Sequence, residues 1–167
     1  MSADDEVAVV AAQLDRRPRG LRGTAHRCPC GLPDVVETAP KLEDGTPFPT
    51  LYYLTCPRAC SAVGRLEAGG LMREMTERLA VDSEFVAAHE RAYHDYVARR
   101  AAIAELPGEP GVGGMPDRVK CLHSLVAHEL AVPGANPAGR WALDLLPAWW
   151  AAGRCVAEDA EDAEGTR

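Results

Sequence analysis

Five cysteines and one histidine fall in three short motifs whose residue types are those of metal sites. The motifs are Cys28-Pro-Cys30, Cys56-Pro-Arg-Ala-Cys60 and Cys121-Leu-His123. Zinc prefers tetrahedral sets of cysteine and histidine ligands, which commonly come in short-spaced pairs. These spacings differ from the repeated Cys-x2-Cys of the most recognisable zinc sites. The pattern therefore predicts a metal site that the fold assembles from distant parts of the chain, and it names no reaction.

The predicted ligand set joins Cys121 across the fold to Cys28 and Cys56. The fourth ligand is expected to be Cys30, Cys60 or His123. The metal is zinc or an iron–sulfur cluster, because thiolates bind both. In a regular helix His123 lies about 200° around the axis from Cys121, so these two side chains share an ion only if the backbone there departs from helix. His128 follows Cys121 by about 10.5 Å of helix axis, which is too far to ligate the same ion.

Two other roles for these cysteines stay open. Free cysteine is among the most buried residue types, so several of them can be small core residues. Alternatively, one of them is a reactive thiol, and Cys56 is the candidate because the N-terminus of the helix expected after it lowers a thiol pKa. His123 or His128 would then act as its base. Cys155 lies away from the three motifs and is expected to be incidental.

A glycine-rich segment at 111–120 suggests a second kind of site. A glycine loop that leads into a helix presents N–H groups to anions, and Arg118 and Lys120 would attract a phosphate. The segment matches neither the P-loop nor the dinucleotide-binding fingerprint. The alternative function is therefore a thiol- or metal-dependent enzyme acting on a phosphorylated or nucleotide-like substrate, with Cys56 and His123 beside these two cations.

Composition narrows the class of protein. The chain has 167 residues, enough to bury the core of one ordinary domain without a metal. A net charge of -7 argues against general affinity for nucleic acid or for anionic membranes. The first residues are acidic and no apolar run approaches the roughly 20 residues that span a bilayer. We therefore expect no membrane insertion and a cytoplasmic location, where thiols stay reduced.

The expected architecture is α+β, with a small antiparallel β-hairpin packed with four or five helices. Residues 1–13 are expected to form a short helix and lead-in, and 14–152 a single globular domain. Residues 153–167 are expected to be a disordered acidic tail, because they offer nothing apolar to bury. We expect the basic residues of 16–27 to form a solvated lead-in segment, and the alternative is that they contact an anion or a partner.

Hydrophobic periodicity and turn residues predict the helices and strands. Runs rich in β-branched and aromatic residues at 34–37 and 48–55 predict two antiparallel strands. Helices are expected at 57–80, at 83–105, from Pro116 to 131, and from Asn136 onward. Gly69-Gly70 should weaken the first of these helices, and the segment 106–115 is a loop because it is dense in glycine and proline. In the last helix Asn136 is the expected N-cap, and Trp141, Leu145 and Leu146 are expected to point inward.

The stretches 44–57 and 114–123, together with Arg27-Cys28-Pro29 and Asn136-Pro137, resemble a bacterial and mainly actinobacterial family known as domain of unknown function five hundred and one. The resemblance covers roughly residues 14–145 and carries no catalytic residue with it. Genes of the family often lie near those for a septum-formation initiator and an exopolyphosphatase, which implies a setting in cell division or polyphosphate metabolism. The expected function is a metal-binding accessory protein that acts through an unknown protein partner.

Overall fold

The computed structural model describes residues 1–156, and in that range it contains one three-stranded antiparallel sheet and six helices. In chain order the elements are α1 Ala3–Leu14, β1 Leu21–Arg27, β2 Pro33–Thr38, β3 Tyr52–Leu54, α2 Pro57–Ala68, α3 Leu71–Val81, α4 Ser83–Ala101, α5 Leu122–Ala131 and α6 Pro137–Leu145. The predicted α+β class is confirmed. No helix in this range has the length and apolar character needed to cross a membrane. Most of the predicted acidic tail, 157–167, lies outside the described residues.

The sheet has the order β1-β2-β3, with β2 in the centre. The predicted antiparallel pair is confirmed, since Val35 of β2 lies opposite Leu54 of β3 and all but one residue of β2 are buried. Strand β1 was not predicted, because its sequence is basic, contains Gly23 and lacks the alternation of a strand. It forms because it pairs along β2 in an irregular register, an example of a partner strand overriding weak local propensity.

The single helix predicted over 57–80 is in fact two helices. Gly69 ends α2, and Gly70 takes a φ of 88°, in the left-handed region that other residues rarely adopt, before α3 begins. The glycine pair therefore breaks the helix instead of bending it. This break leaves Glu67 in the last turn of α2, near the surface.

The helix predicted to start at Pro116 starts instead at Leu122. The backbone of the preceding residues is paired elsewhere: Val119 N–H donates to the Thr76 hydroxyl at 3.4 Å, and Lys120 N–H donates to the Gly113 carbonyl at 2.8 Å. These contacts satisfy the groups that a helix would have satisfied, so the segment stays irregular.

The core is formed where β3, α4 and α5 meet, and polar contacts fix the chain just before β3. The Tyr96 hydroxyl accepts hydrogen bonds from the N–H groups of Leu51 and Tyr52, at 2.6 and 3.2 Å. Arg100 is only 1% exposed and donates to the Pro49 carbonyl at 2.8 Å. One predicted core residue is wrong: Leu145 is 53% exposed, because α6 ends there and turns its last residue to solvent.

Asn136 is confirmed as the N-cap of α6, and its side chain also takes part in a buried network. Its Oδ1 accepts from Gly139 N–H at 2.8 Å, and its Nδ2 lies 3.2 Å from His128 Nδ1. We expect Asn136→Ala to lower the free energy of unfolding by about 2 kcal/mol, the upper end for a lost cap. The loss is large because the buried hydrogen bond between Asn136 Nδ2 and His128 Nδ1 disappears together with the cap. Urea unfolding measures this, with Ser2→Ala at the exposed cap of α1 as the control of smaller effect. Equal losses in the two variants would contradict it.

Candidate metal centre

Within residues 1–156 one group of ligand atoms lies close enough together to hold a metal ion. It consists of a Glu67 carboxylate oxygen, the Cys121 sulfur and a ring nitrogen of His123, all within 4.8 Å of one another. Glu67 comes from the end of α2, Cys121 is the N-cap of α5, and His123 is in the first turn of α5. All three residues are partly exposed, so an ion could reach them from solvent.

Cys121 and His123 meet because the backbone at Cys121 is not helical. Cys121 has φ -139° and ψ 111°, an extended conformation, and its side chain does not cap the helix. The Glu67 carboxylate takes that role instead, since its Oε2 accepts from Leu122 N–H at 3.1 Å. The geometric condition for a shared ion at Cys-x-His is therefore met, and α2 supplies the carboxylate that completes the group.

The two ring nitrogens of His123 have different partners. Nδ1 lies 2.9 Å from Glu67 Oε1, and Nε2 lies 3.1 Å from the carbonyl oxygen of Cys60. Because a carbonyl can only accept, Nε2 carries a proton and donates it. The ring is thereby oriented with Nδ1 toward the carboxylate, as in metal sites whose ligating histidine donates its other N–H to a backbone carbonyl.

Cys121 and His123 shift the pKa of each other in opposite directions. The hydrogen bond with His123 is the main cause of a lowered pKa at Cys121, which burial partly opposes. The same bond is the main cause of a raised pKa at His123, and the negative charge of Glu67 adds to it. The pair therefore favours a thiolate beside an imidazolium, and a thiolate is the form that binds metals or attacks electrophiles.

The other predicted ligands lie elsewhere. Cys28 and Cys30 share the turn between β1 and β2, with Cys30 N–H 3.5 Å from Cys28 Sγ, and burial raises the pKa of Cys28 to about 11. The sulfurs of Cys28, Cys56 and Cys121 do not all approach within 4.8 Å of one another. The thiol of Cys60 donates to the Leu54 carbonyl at 3.5 Å. Of the predicted set, the structure brings Cys121 and His123 together in one group and Cys28 and Cys30 together in a separate turn. Metal binding itself stays a prediction.

Cys56 does not have the environment expected of a reactive thiol. It precedes α2 as predicted, with Pro57 in the first turn, but it is only 1% exposed. Its side-chain contact with Cys155 and its burial raise its pKa, and they outweigh the N–H groups of the helix N-terminus, which lower it. The expectation of a lowered pKa is therefore wrong. His128, the other suggested base, is fully buried and lies 2.8 Å from Asp95.

Glu67 was not predicted as a site residue, and its sequence context offers little signal. It is one of 25 acidic residues and lies far from the Cys121 motif along the chain. The only local hint is that Gly69-Gly70 ends its helix, which places Glu67 at an exposed helix terminus. Cys155, expected to be incidental, contacts both Cys56 and Gln13.

Comparison with known proteins places the chain in a family. No curated protein and no solved structure matches it. Over residues 24–144, most of its length, it matches the family model described as "Protein of unknown function (DUF501)". Glu67, Cys121 and His123 lie within the matched range, whereas Gln13 and Cys155 lie outside it. The family resemblance seen in the sequence is thus confirmed, and the chain belongs to the DUF501 family.

Proposed function

We propose that this protein is a zinc-binding accessory protein whose ligands are Glu67, Cys121 and His123. The observation that carries the proposal is the convergence of a carboxylate, a thiol and an imidazole within 4.8 Å, from two helices that are distant in sequence. Zinc accepts all three kinds of ligand, and three protein ligands leave a fourth position open. An iron–sulfur cluster fits this group less well, because it is usually held by four thiolates.

Contacts around the three ligands support the proposal. The Cys60 carbonyl orients His123, and the N–H of Leu122 orients Glu67. Such outer contacts fix the direction of a ligand before the metal arrives. Zinc at this point would join the C-terminal end of α2 to the N-terminal end of α5.

The position of the group favours an accessory role over small-molecule catalysis. Four cavities, of 110 to 420 Å³, are lined by other residues of the described chain. An ion bound near the surface by three protein ligands could take water, or a side chain of a bound protein, as its fourth ligand. The proposed partner is a protein, and the three ligands do not identify it. A link to cell division rests on the family resemblance alone.

A second candidate function uses the same three residues without a metal. Cys121 would be a nucleophile and His123 its base, with the Cys60 carbonyl orienting the ring through Nε2 and Glu67 lying beside Nδ1. The opposite pKa shifts of Cys121 and His123 are the observation that favours it. In this role Cys121 takes the place of Cys56, the reactive thiol suggested by the sequence.

Zinc titration of the metal-free full-length chain tests the proposal. We expect one zinc per chain, and we expect Cys121→Ser and Glu67→Gln to weaken binding by more than the roughly 10- to 100-fold typical of lost outer contacts. Cys30→Ser, another partly exposed cysteine, is the matched control and should bind as the wild type does. Cobalt(II) in place of zinc adds a thiolate absorption band that should disappear in Cys121→Ser.

The outcomes separate the two candidates. Zinc binding that is lost with Cys121 and Glu67 supports the metal site. A chain that binds no zinc, but whose Cys121 is alkylated faster than Cys30 and more slowly once His123 is replaced by Gln, supports the thiol enzyme, because the bond with His123 is the main cause of the lowered pKa of Cys121. Binding that survives both Cys121→Ser and Glu67→Gln contradicts the proposed ligands.

A further inference from the structure

The last described turn of the chain is held against the start of α2 and against α1. The amide of Gln13 donates to Cys155 Sγ at 3.3 Å, and Arg58 donates to the Gly153 carbonyl at 2.8 Å. The thiols of Cys56 and Cys155 interact directly, side chain to side chain. Two cysteines far apart in sequence are thus neighbours in a region with no assigned function.

The surroundings of the two sulfurs are unequal. Cys155 is partly exposed and faces an amide N–H donor, the Cys56 thiol and the positive charge of Arg58. Cys56 is only 1% exposed and sits against Cys155. The pKa of Cys155 is accordingly lowered to about 6, chiefly by the hydrogen bond from Cys56. Accessible, stabilised thiolates with a second thiol beside them are the cysteines that peroxides oxidise reversibly.

We propose that Cys155 and Cys56 form a disulfide when the protein meets hydrogen peroxide, with Cys155 attacking first and Cys56 resolving. The Cys155 thiolate attacks one peroxide oxygen, so an S–O bond forms, the O–O bond breaks and hydroxide leaves. The Cys56 thiol then attacks the sulfenic sulfur, the S–S bond forms, and the sulfenic oxygen leaves as water. The Cys56 proton goes into that water, and the proton that Cys155 released on becoming a thiolate neutralises the hydroxide, so one peroxide and two thiols give one disulfide and two waters.

This proposal goes beyond the zinc site and does not depend on it. Neither sulfur belongs to the group formed by Glu67, Cys121 and His123. Cys60 is the alternative disulfide partner for Cys155. Its thiol, however, donates to the Leu54 carbonyl, and burial raises its pKa to about 11. The bond would tie the last described turn to the beginning of α2.

Peptide mapping of the oxidised full-length chain tests the pairing. The metal-free protein is treated with one equivalent of hydrogen peroxide, alkylated without reductant and digested with trypsin. Cys56 then lies alone in peptide 42–58 and Cys155 alone in peptide 155–167, whereas Cys60 and Cys121 fall in 59–65 and 121–140. We expect free thiols to fall from six to four, with 42–58 linked to 155–167.

Two variants test the order of attack. In Cys56→Ser, which keeps a hydrogen-bond donor beside Cys155, Cys155 should accumulate as sulfenic acid and be captured by dimedone, because its resolving thiol is gone. Cys60→Ser, the matched control, should still give the Cys56–Cys155 link. If Cys56→Ser does not fold, the peptide map of the wild type alone tests the proposal. Six thiols still alkylated after peroxide, or Cys155 linked to another cysteine or to a second chain, would overturn the proposal.

Discussion

We expect Gly139→Ala to lower the free energy of unfolding by about 3 kcal/mol or more, among the largest losses for adding one methyl group. Gly139 is buried where α6 crosses α5. A Cβ on it would overlap the carbonyl oxygen of Leu125 and stand 2.8 Å from Glu129 Cβ. Backbone atoms of a helix cannot move aside as a flexible side chain can, so the two helices would have to separate. The gain in helix propensity, about 1 kcal/mol, does not offset this.

Gly64→Ala is the matched control, because Gly64 lies in α2 with no atom within 4 Å of the added methyl. There we expect a stabilisation of about 0.5–1 kcal/mol from helix propensity alone. Urea unfolding followed by tryptophan fluorescence measures both variants. A Gly139→Ala protein as stable as the wild type would show that α5 and α6 do not pack as closely as described.

The second large effect is on the pH dependence of zinc binding. We expect the zinc affinity to fall at least tenfold for each pH unit below the raised pKa of His123. A metal needs the lone pair of His123 Nδ1, so at least one proton must leave with each ion bound. Because the pKa of His123 is raised, this loss begins at a higher pH than for an ordinary histidine.

The stability of the protein without metal depends on pH in the opposite direction to the zinc affinity. A group whose pKa is raised in the folded state stabilises the fold most below its unfolded pKa, and that contribution is lost as the pH rises through the folded pKa. Nuclear magnetic resonance titration of the imidazole measures the pKa of His123 directly. Cys121→Ser should bring it down toward its ordinary value, since Cys121 is the largest cause of the shift. A His123 pKa unchanged in that variant, or a zinc affinity independent of pH, would contradict this account.

The local sequence was sufficient to predict those helices and strands that depend mainly on their own residues. The apolar run of β2, Pro57 after Cys56 and the Asn136 cap all predicted the elements that the structure contains. It was insufficient where contacts with distant parts of the chain determine the local structure. Strand β1 forms by pairing with β2, and the residues just before α5 stay irregular because the Thr76 hydroxyl and the Gly113 carbonyl accept their backbone N–H groups.

The candidate site was predicted in part for the same reason. The sequence named Cys121 and His123 and stated the condition for their meeting, a break in the helix, which the structure meets. It could not supply Glu67, because nothing local connects a glutamate in α2 to Cys121. Nor could it bring Cys155 to Cys56, since only the folded chain places the last described turn against the start of α2.

The long connection between α4 and α5 is tied down along its length. Tyr93 donates to the Glu109 carbonyl at 2.7 Å, His89 Nε2 lies 3.0 Å from the Arg118 carbonyl, and Lys120 N–H donates to the Gly113 carbonyl at 2.8 Å. Cys121, at the end of this connection, is therefore held in position by contacts of the protein itself. Little conformational entropy would be lost on binding the proposed ion. Occupancy would then follow the surrounding zinc concentration reversibly, and the chain would stay folded whether the ion is bound or released.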